Sequence, residues 1–397
     1  MRVMVLVAVV VAALASTNGN AAADAAQPIA PGVTYRTFDL AASHGAVHGH
    51  LLDVDLQNPH VAVDLLHPPT VAARAAVSQM AGAQGAVAGI NGDFFNISEP
   101  ASHAGVQPTG SSDGPEIAGG AELKGAVPDG QRFGPGLPSG TTTRDVLGVG
   151  VDRRARTGRL AVQGSVTTAA ASLPVEGLNQ YALPVDGVGA FTDAWGPASR
   201  QRATCGTDTN RDATCSTDTA EVWVEHGTVT SVAAMPGTTA IPAGTVALVG
   251  REQGADALRA PHPGDHALVH YGLGGGPAVP FRFAVGGFPI VRAGHPLSGL
   301  DTATAAVRTG AGIGPGGTHL YLAVLDGTPD TSAGLTIAEL ASVLQSFGAV
   351  DAVNLDGGGS STFVARQPGA GAVTVLNHPT AGAERPVANG VGVFTRP

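Results

Sequence analysis

The chain has 397 residues, 43% hydrophobic and only 4% aromatic, with 57 glycines, 28 prolines and a formal net charge of −10. Apolar content on this scale supports a real core and argues against a disordered chain. The acidic balance argues against a nucleic-acid binder, whose footprint is a basic surface. Lys124 is the only lysine, so local positive charge, including any for a phosphate-bearing ligand, falls to arginine.

Met1-Arg2, the apolar run Val3 to Leu14 and the small residues around Ala21-Ala22-Ala23 follow the charged, apolar and Ala-x-Ala order of a secretory signal peptide. Residues 1–26 are therefore read as a leader, and the protein as secreted and extracellular. The apolar run is too short for a membrane span, and no later stretch approaches that length. The rest suits one large domain or two ordinary ones. We expect an N-terminal β-rich segment over 27–84 and a catalytic domain over 85–397, with a divergent or inserted β-rich middle at about 142–250.

From Ala30 to His67 the chain reads as strands and turns: His48 to Leu56 alternates, and Val61 to Leu66 follows the Asn58-Pro59 turn. His44, His48 and His50 lie close together, as do His262, His266 and His270. Neither set has zinc-protease spacing such as H-E-x-x-H, so scattered surface histidines are expected. Val71 to Ala83 is an Ala-rich helix candidate. Val87 to Ile90 is a short buried strand running into Asn91-Gly92-Asp93-Phe94-Phe95. There Asp93 offers a carboxylate and Asn91 both donates and accepts hydrogen bonds; the plainer reading is an Asn-Gly turn with two core phenylalanines. Residues 108–138, rich in Gly, Pro, Ser and Asp, look like a long, mobile surface loop.

In a secreted chain the lone pair Cys205 and Cys215 reads as a disulfide closing a polar loop. Asp208, Asn210 and Asp212 alternate like the opening of a calcium loop, without its glycine and distal glutamate. A solvated loop is the better reading, and Ca2+ is the one divalent cation the sequence suggests. Arg308-Thr309 sits in an apolar, β-like run, where a guanidinium needs a structural partner or an anionic ligand. Gly312 to Gly317 matches the letters of a dinucleotide fingerprint, but a strand follows it, so a hairpin loop is expected.

His319 to Leu325 is a strand ending at Asp326-Gly327. Thr336 and Glu339 form a capping box for a helix from Leu335 to Phe347, stopped by Gly348. The next strand, Ala349 to Leu355, ends in Asp356, three glycines and the hydroxyls of Ser360, Ser361 and Thr362. Strand, helix, strand implies a right-handed crossover that puts Asp326 and Asp356 on the same sheet edge, where ligands bind. Gly357 to Gly359 can form an anion-binding nest of amides, or simply a tight turn. The fold class expected is α+β: a mixed β-sheet core with few helices and a C-terminal βαβ unit ending in the glycine-rich loop.

These pieces together resemble the phosphodiester glycosidase family. The matching residues are Asn91 to Phe95, Arg308-Thr309 ahead of a Gly-x-Gly, Asp326-Gly327, the helix Leu335 to Phe347, Asn354 to Val364, and Arg385-Pro386-Val387. The resemblance implies hydrolysis of the bond between a sugar's anomeric carbon and a phosphate, on a phosphorylated carbohydrate or cell-envelope glycan. It makes Asp356, Asp326 and Asp93 the carboxylates serving as nucleophile, base or sugar ligand. Arg308, Arg385 and the amides of Gly357, Gly358, Gly359 and Ser360 would stabilise the leaving phosphate, and Asn91 and Asn354 would orient the carboxylates or bind sugar hydroxyls. Two rival readings are a non-catalytic phosphoglycan-binding module and a metal-dependent phosphodiesterase that cuts P–O.

Overall fold

The computed structural model describes residues 22–23, 25–169, 171–327 and 333–395. The expected leader, residues 1–26, lies almost wholly outside them. A nine-stranded sheet runs through the middle of the fold. Its order is Ala22–Ala23, Val33–Ala42, Gly45–Asp55, His319–Leu325, Thr309–Ile313, Asp351–Asn354, Phe288–Arg292 and His295–Pro296, with Gln27–Ala30 also paired to Val33–Ala42. The N-terminal strands are thus hydrogen-bonded directly to the C-terminal half, Leu52 lying opposite Leu322.

Alternation along His319–Leu325 explains the layering. Leu320, Leu322 and Val324 point to one face and Ala323 and Leu325 to the other, the period of a strand. The first set packs on a five-stranded sheet of Thr374–Val375, Phe363–Ala365, Ala88–Asn91, Gly390–Thr395 and Val61–Leu66, through Val63, Leu65, Ile90, Phe363 and Val391. The second set packs beneath the helix Ile337–Ser346, through Leu340 and Leu344. With both faces covered, the strand is apolar from Leu322 to Leu325.

Thr336 caps that helix as its sequence requires: the Glu339 amide donates to Thr336 Oγ1 at 3.2 Å, and the Thr336 amide donates to Glu339 Oε2 at 2.8 Å. The strands before and after the helix run in the same direction, but they are not neighbours. Thr309–Ile313 lies between them, antiparallel to both, because the Gly314–Gly317 turn folds it back as a hairpin against His319–Leu325. Asp326 and Asp356 therefore leave one sheet edge two strand spacings apart, roughly 10 Å.

The other expected helix is shorter, Val77–Gln84, since residues 71–76 pair irregularly instead. With Gln253–Leu258, the described residues contain three α-helices. The middle of the chain is β-rich. A five-stranded and a three-stranded sheet, built mainly from residues 161–274, share a core of Val166, Val188, Val222 and Leu248, beside the disulfide Cys205–Cys215. Among the described residues no helix is long and apolar enough to cross a membrane.

Candidate active site

The two sheets meet where Ala88–Asn91 and Asp351–Asn354 end. Asn91 Nδ2 donates to the Asp356 carbonyl, and Asn91 Oδ1 accepts from Thr309 Oγ1 at 2.9 Å and from the Thr362 amide at 3.1 Å. The sequence Asn91-Gly92 is therefore a strand end that clips three segments together, not a hairpin turn. Asn91 is completely buried, so its amide organises backbone and does not face a ligand.

Asp356 is partly exposed at the mouth of this junction. Burial pushes its carboxyl up to about 7, helped by the negative charge of Asp113, and opposed by the Ser360 hydroxyl, the Arg385 charge and the Gly357 amide. Arg385 is exposed, and its Nη1 donates to Ser360 Oγ at 3.4 Å. A hydroxyl thus links a solvent-facing guanidinium to the activated carboxylate. A Cβ on Gly359 would meet that guanidinium, so a larger residue there would displace Arg385.

Behind Asp356 lies a buried polar cluster. Asp93 Oδ1 accepts from the Phe94 amide at 2.8 Å and Oδ2 from the Gly114 amide at 2.6 Å. Burial first, and Asp113 second, raise its pKa to about 8. Asp113 accepts from Tyr181 Oη at 2.7 Å and the Phe133 amide at 2.8 Å, and burial raises it also, against the pull of Arg132. Lys124 Nζ donates to the Gly114 and Gly125 carbonyls at 2.6 Å, and burial lowers its pKa. Arg132 lies over the rings of Phe94 and Phe288, 5.3 and 5.5 Å from their centroids. Asp93, raised to about 8, keeps its proton at neutral pH.

Asp113 is the residue that sequence reasoning missed. It sits in the 108–138 segment expected to be a mobile surface loop. Instead, residues 109–117 are buried, held by Tyr181 and by Asn389, whose Nδ2 donates to Glu116 Oε1 at 2.7 Å. No local signal marks it: a polar run such as Ser111-Ser112-Asp113 reads as surface, and its burial is set by partners far along the chain.

Other expected residues are engaged by the fold itself. Arg308 is buried, and its guanidinium donates to the Leu335 carbonyl at 2.9 Å and the Thr304 carbonyl at 2.8 Å, so backbone acceptors supply its partners. Asp326 is buried against His50 and His378, two strands from Asp356. Asn354 Nδ2 donates to the Leu355 carbonyl at 2.9 Å, while its buried Oδ1 has no partner among the described residues. The expected nest of open amides is not preformed. Only Gly358 of the three glycines has positive φ. The Gly358 amide donates to the Val307 carbonyl and the Ser360 amide to the Gly357 carbonyl, while the Gly357 amide serves the Asp356 carboxylate. Near the disulfide, Asp208 Oδ1 accepts from the Val185 amide and Asn210 Oδ1 from the Asp212 amide, both at 3.0 Å.

The fold and site are thus those of a β-rich α+β protein with strand-end carboxylates around an exposed arginine. Residues 218–394, which include Asp356, Ser360 and Arg385, match the family model described as phosphodiester glycosidase, the family the sequence motifs resemble. Among solved structures the chain is similar to a putative exported protein from Burkholderia pseudomallei, 19% identical with a TM-score of 0.71 over 96% of this chain and 98% of that one. It is also similar to a hypothetical protein from Synechocystis, 20% identical with a TM-score of 0.69 over 92% of this chain, which spans 62% of that protein's length. Both show the fold. The zebrafish N-acetylglucosamine-1-phosphodiester α-N-acetylglucosaminidase catalytic domain aligns over 95% of this chain and 89% of its own length, at 15% identity and a TM-score of 0.44. No curated protein sequence matches the chain.

Proposed function

We propose that the protein is a secreted hydrolase of glycosyl-1-phosphodiesters, cutting the anomeric C–O bond to release a sugar and a phosphomonoester. One observation carries the reading. A partly exposed carboxylate, pushed up to about 7, stands beside an exposed arginine in the segment that matches the family. A phosphomonoester leaves readily, so its departure calls for charge stabilisation more than protonation, and an exposed guanidinium is suited to that. The anomeric carbon then needs an attacking water, and a base titrating near neutrality is matched to taking its proton.

Asp356 is assigned that base, and Arg385 the phosphate contact. The C1–O bond breaks with its electrons going to the phosphate, the water oxygen bonds to C1, and the water proton passes to Asp356. Asp113 acts through Asp356, its negative charge helping burial to hold that pKa high. The Met1-Arg2 leader pattern and the disulfide fit an extracellular or cell-envelope glycan as substrate.

Hydrolysis of a panel of defined sugar-1-phosphate diesters in oxygen-18 water tests this. The label is expected on the sugar; label in the phosphate would assign P–O cleavage instead. No turnover of any diester by wild-type protein that still binds one would leave a binding module.

A further inference from the structure

His48 and His50 stand two residues apart on the strand Gly45–Asp55, so their rings leave the same face of the sheet. The rings meet perpendicular to each other, centroids 5.4 Å apart. Asp326 follows the neighbouring strand, and its amide donates to the His48 carbonyl at 3.1 Å, which sets its carboxylate against both rings. His50 Nε2 lies 3.0 Å from Asp326 Oδ1. One ligand-type atom from each of these three residues lies within 4.8 Å of the others. On the open side, the His378 ring Nδ1 is 2.9 Å from Asp326 Oδ2.

The outward contacts of the rings are equally specific. His48 Nδ1 lies 2.7 Å from Asp39 Oδ1, and His50 Nδ1 lies 2.9 Å from Tyr35 Oη. With each Nδ1 held by an oxygen, Nε2 is the free donor atom of each ring, which is how metal-bound histidines are oriented. Zinc bonds of about 2.0–2.1 Å in a tetrahedron separate neighbouring ligand atoms by roughly 3.3 Å, near the His50–Asp326 spacing. Two imidazoles with one carboxylate suit a transition metal better than Ca2+ or Mg2+, which favour all-oxygen sites.

We propose that His48, His50 and Asp326 bind a divalent transition-metal ion of the zinc type, with His378 outside the ligand set, holding the Asp326 carboxylate by its Oδ2. The ion replaces the proton now shared between His50 Nε2 and Asp326 Oδ1. Side-chain exposures of 4% and 1% make His50 and Asp326 the floor, while 31% at His48 and 65% at His378 give the entry path. The site also bears on the candidate active site. Thr380, two residues beyond His378, donates through Oγ1 to the Gly358 carbonyl at 3.2 Å. An ion that fixes Asp326 therefore also steadies, through His378, the segment that leads to Arg385.

The test uses chelator-treated full-length protein titrated with Zn2+ by calorimetry and with Co2+ by visible absorption. Saturable uptake of one ion is expected, with the absorption of a four-coordinate Co2+ and a higher Tm in Zn2+. His48→Ala and His378→Ala, both at exposed rings, should each weaken binding roughly tenfold or more and change the Co2+ spectrum without altering circular dichroism. Asp356→Asn should bind as wild type, which separates this site from the proposed hydrolysis. Absence of saturable uptake by wild type, or unchanged affinity in both histidine variants, overturns the proposal.

Discussion

Asn91 and Asp356 are joined reciprocally: the Asn91 side chain donates to the Asp356 carbonyl, and the Asp356 amide returns a bond of 2.9 Å to the Gly92 carbonyl. Strand ends from two different sheets are thereby fixed side by side. The activated carboxylate inherits its position from this joint.

Replacing Asn91 with Ala leaves the Asp356 carbonyl, the Thr309 hydroxyl and the Thr362 amide without their shared partner. Leaving such buried groups unsatisfied should cost on the order of 3 kcal/mol. Urea denaturation measures this, and a midpoint within error of wild type would refute the role given to Asn91.

Asp356→Asn should lose activity and gain stability. The folded-state pKa of about 7 lies above the ordinary 3.8, so between those values the folded protein holds more protons than the unfolded chain. The contribution of this group to stability therefore falls as pH rises from about 4 to about 7. The Tm advantage of the variant should be absent at pH 4 and full at pH 8, alongside a loss of roughly 100-fold or more in kcat. Parallel Tm–pH curves for the two proteins would show that Asp356 is not raised.

Arg385 and Asp113 act on Asp356 with opposite signs. Arg385→Gln removes a positive charge, so the pH–rate limb governed by Asp356 should move to higher pH while KM rises. Asp113→Asn removes a negative charge, and the same limb should move to lower pH. Shifts in one direction for both variants would contradict the electrostatic arrangement.

The Cys205–Cys215 bond spans a sequence separation of 10, and closing a loop of that length is worth about 3 kcal/mol in the unfolded chain. Reduction, or a Cys205→Ser/Cys215→Ser double change, should lower the denaturation midpoint accordingly. Equal midpoints with and without reductant would exclude it.

Features set by neighbours in sequence were legible from the chain alone. The capping box of Thr336 and Glu339, the Gly314–Gly317 hairpin and the carboxylate ending the Asp351–Asn354 strand all depend on local backbone chemistry. What the sequence hid was set by distant segments. The need of Arg308 for a buried partner was plain, but nothing local revealed that one of its two acceptors is the carbonyl of Leu335, 27 residues on. The spacing of His48 and His50 shows that they share a face, not that Asp326 meets that face. Asp113 lay in a Gly- and Pro-rich segment whose burial depends on Tyr181 and Asn389, far along the chain.

The interleaving of the sheets has a consequence for biogenesis. Val61–Leu66 completes its edge only with Gly390–Thr395, and Gly45–Asp55 only with His319–Leu325. A nascent chain emerging in order would expose apolar early strands until its last segments arrive, and such non-local pairing is slow. One concerted collapse, once Gly390–Thr395 is available to pair, is the route this topology favours.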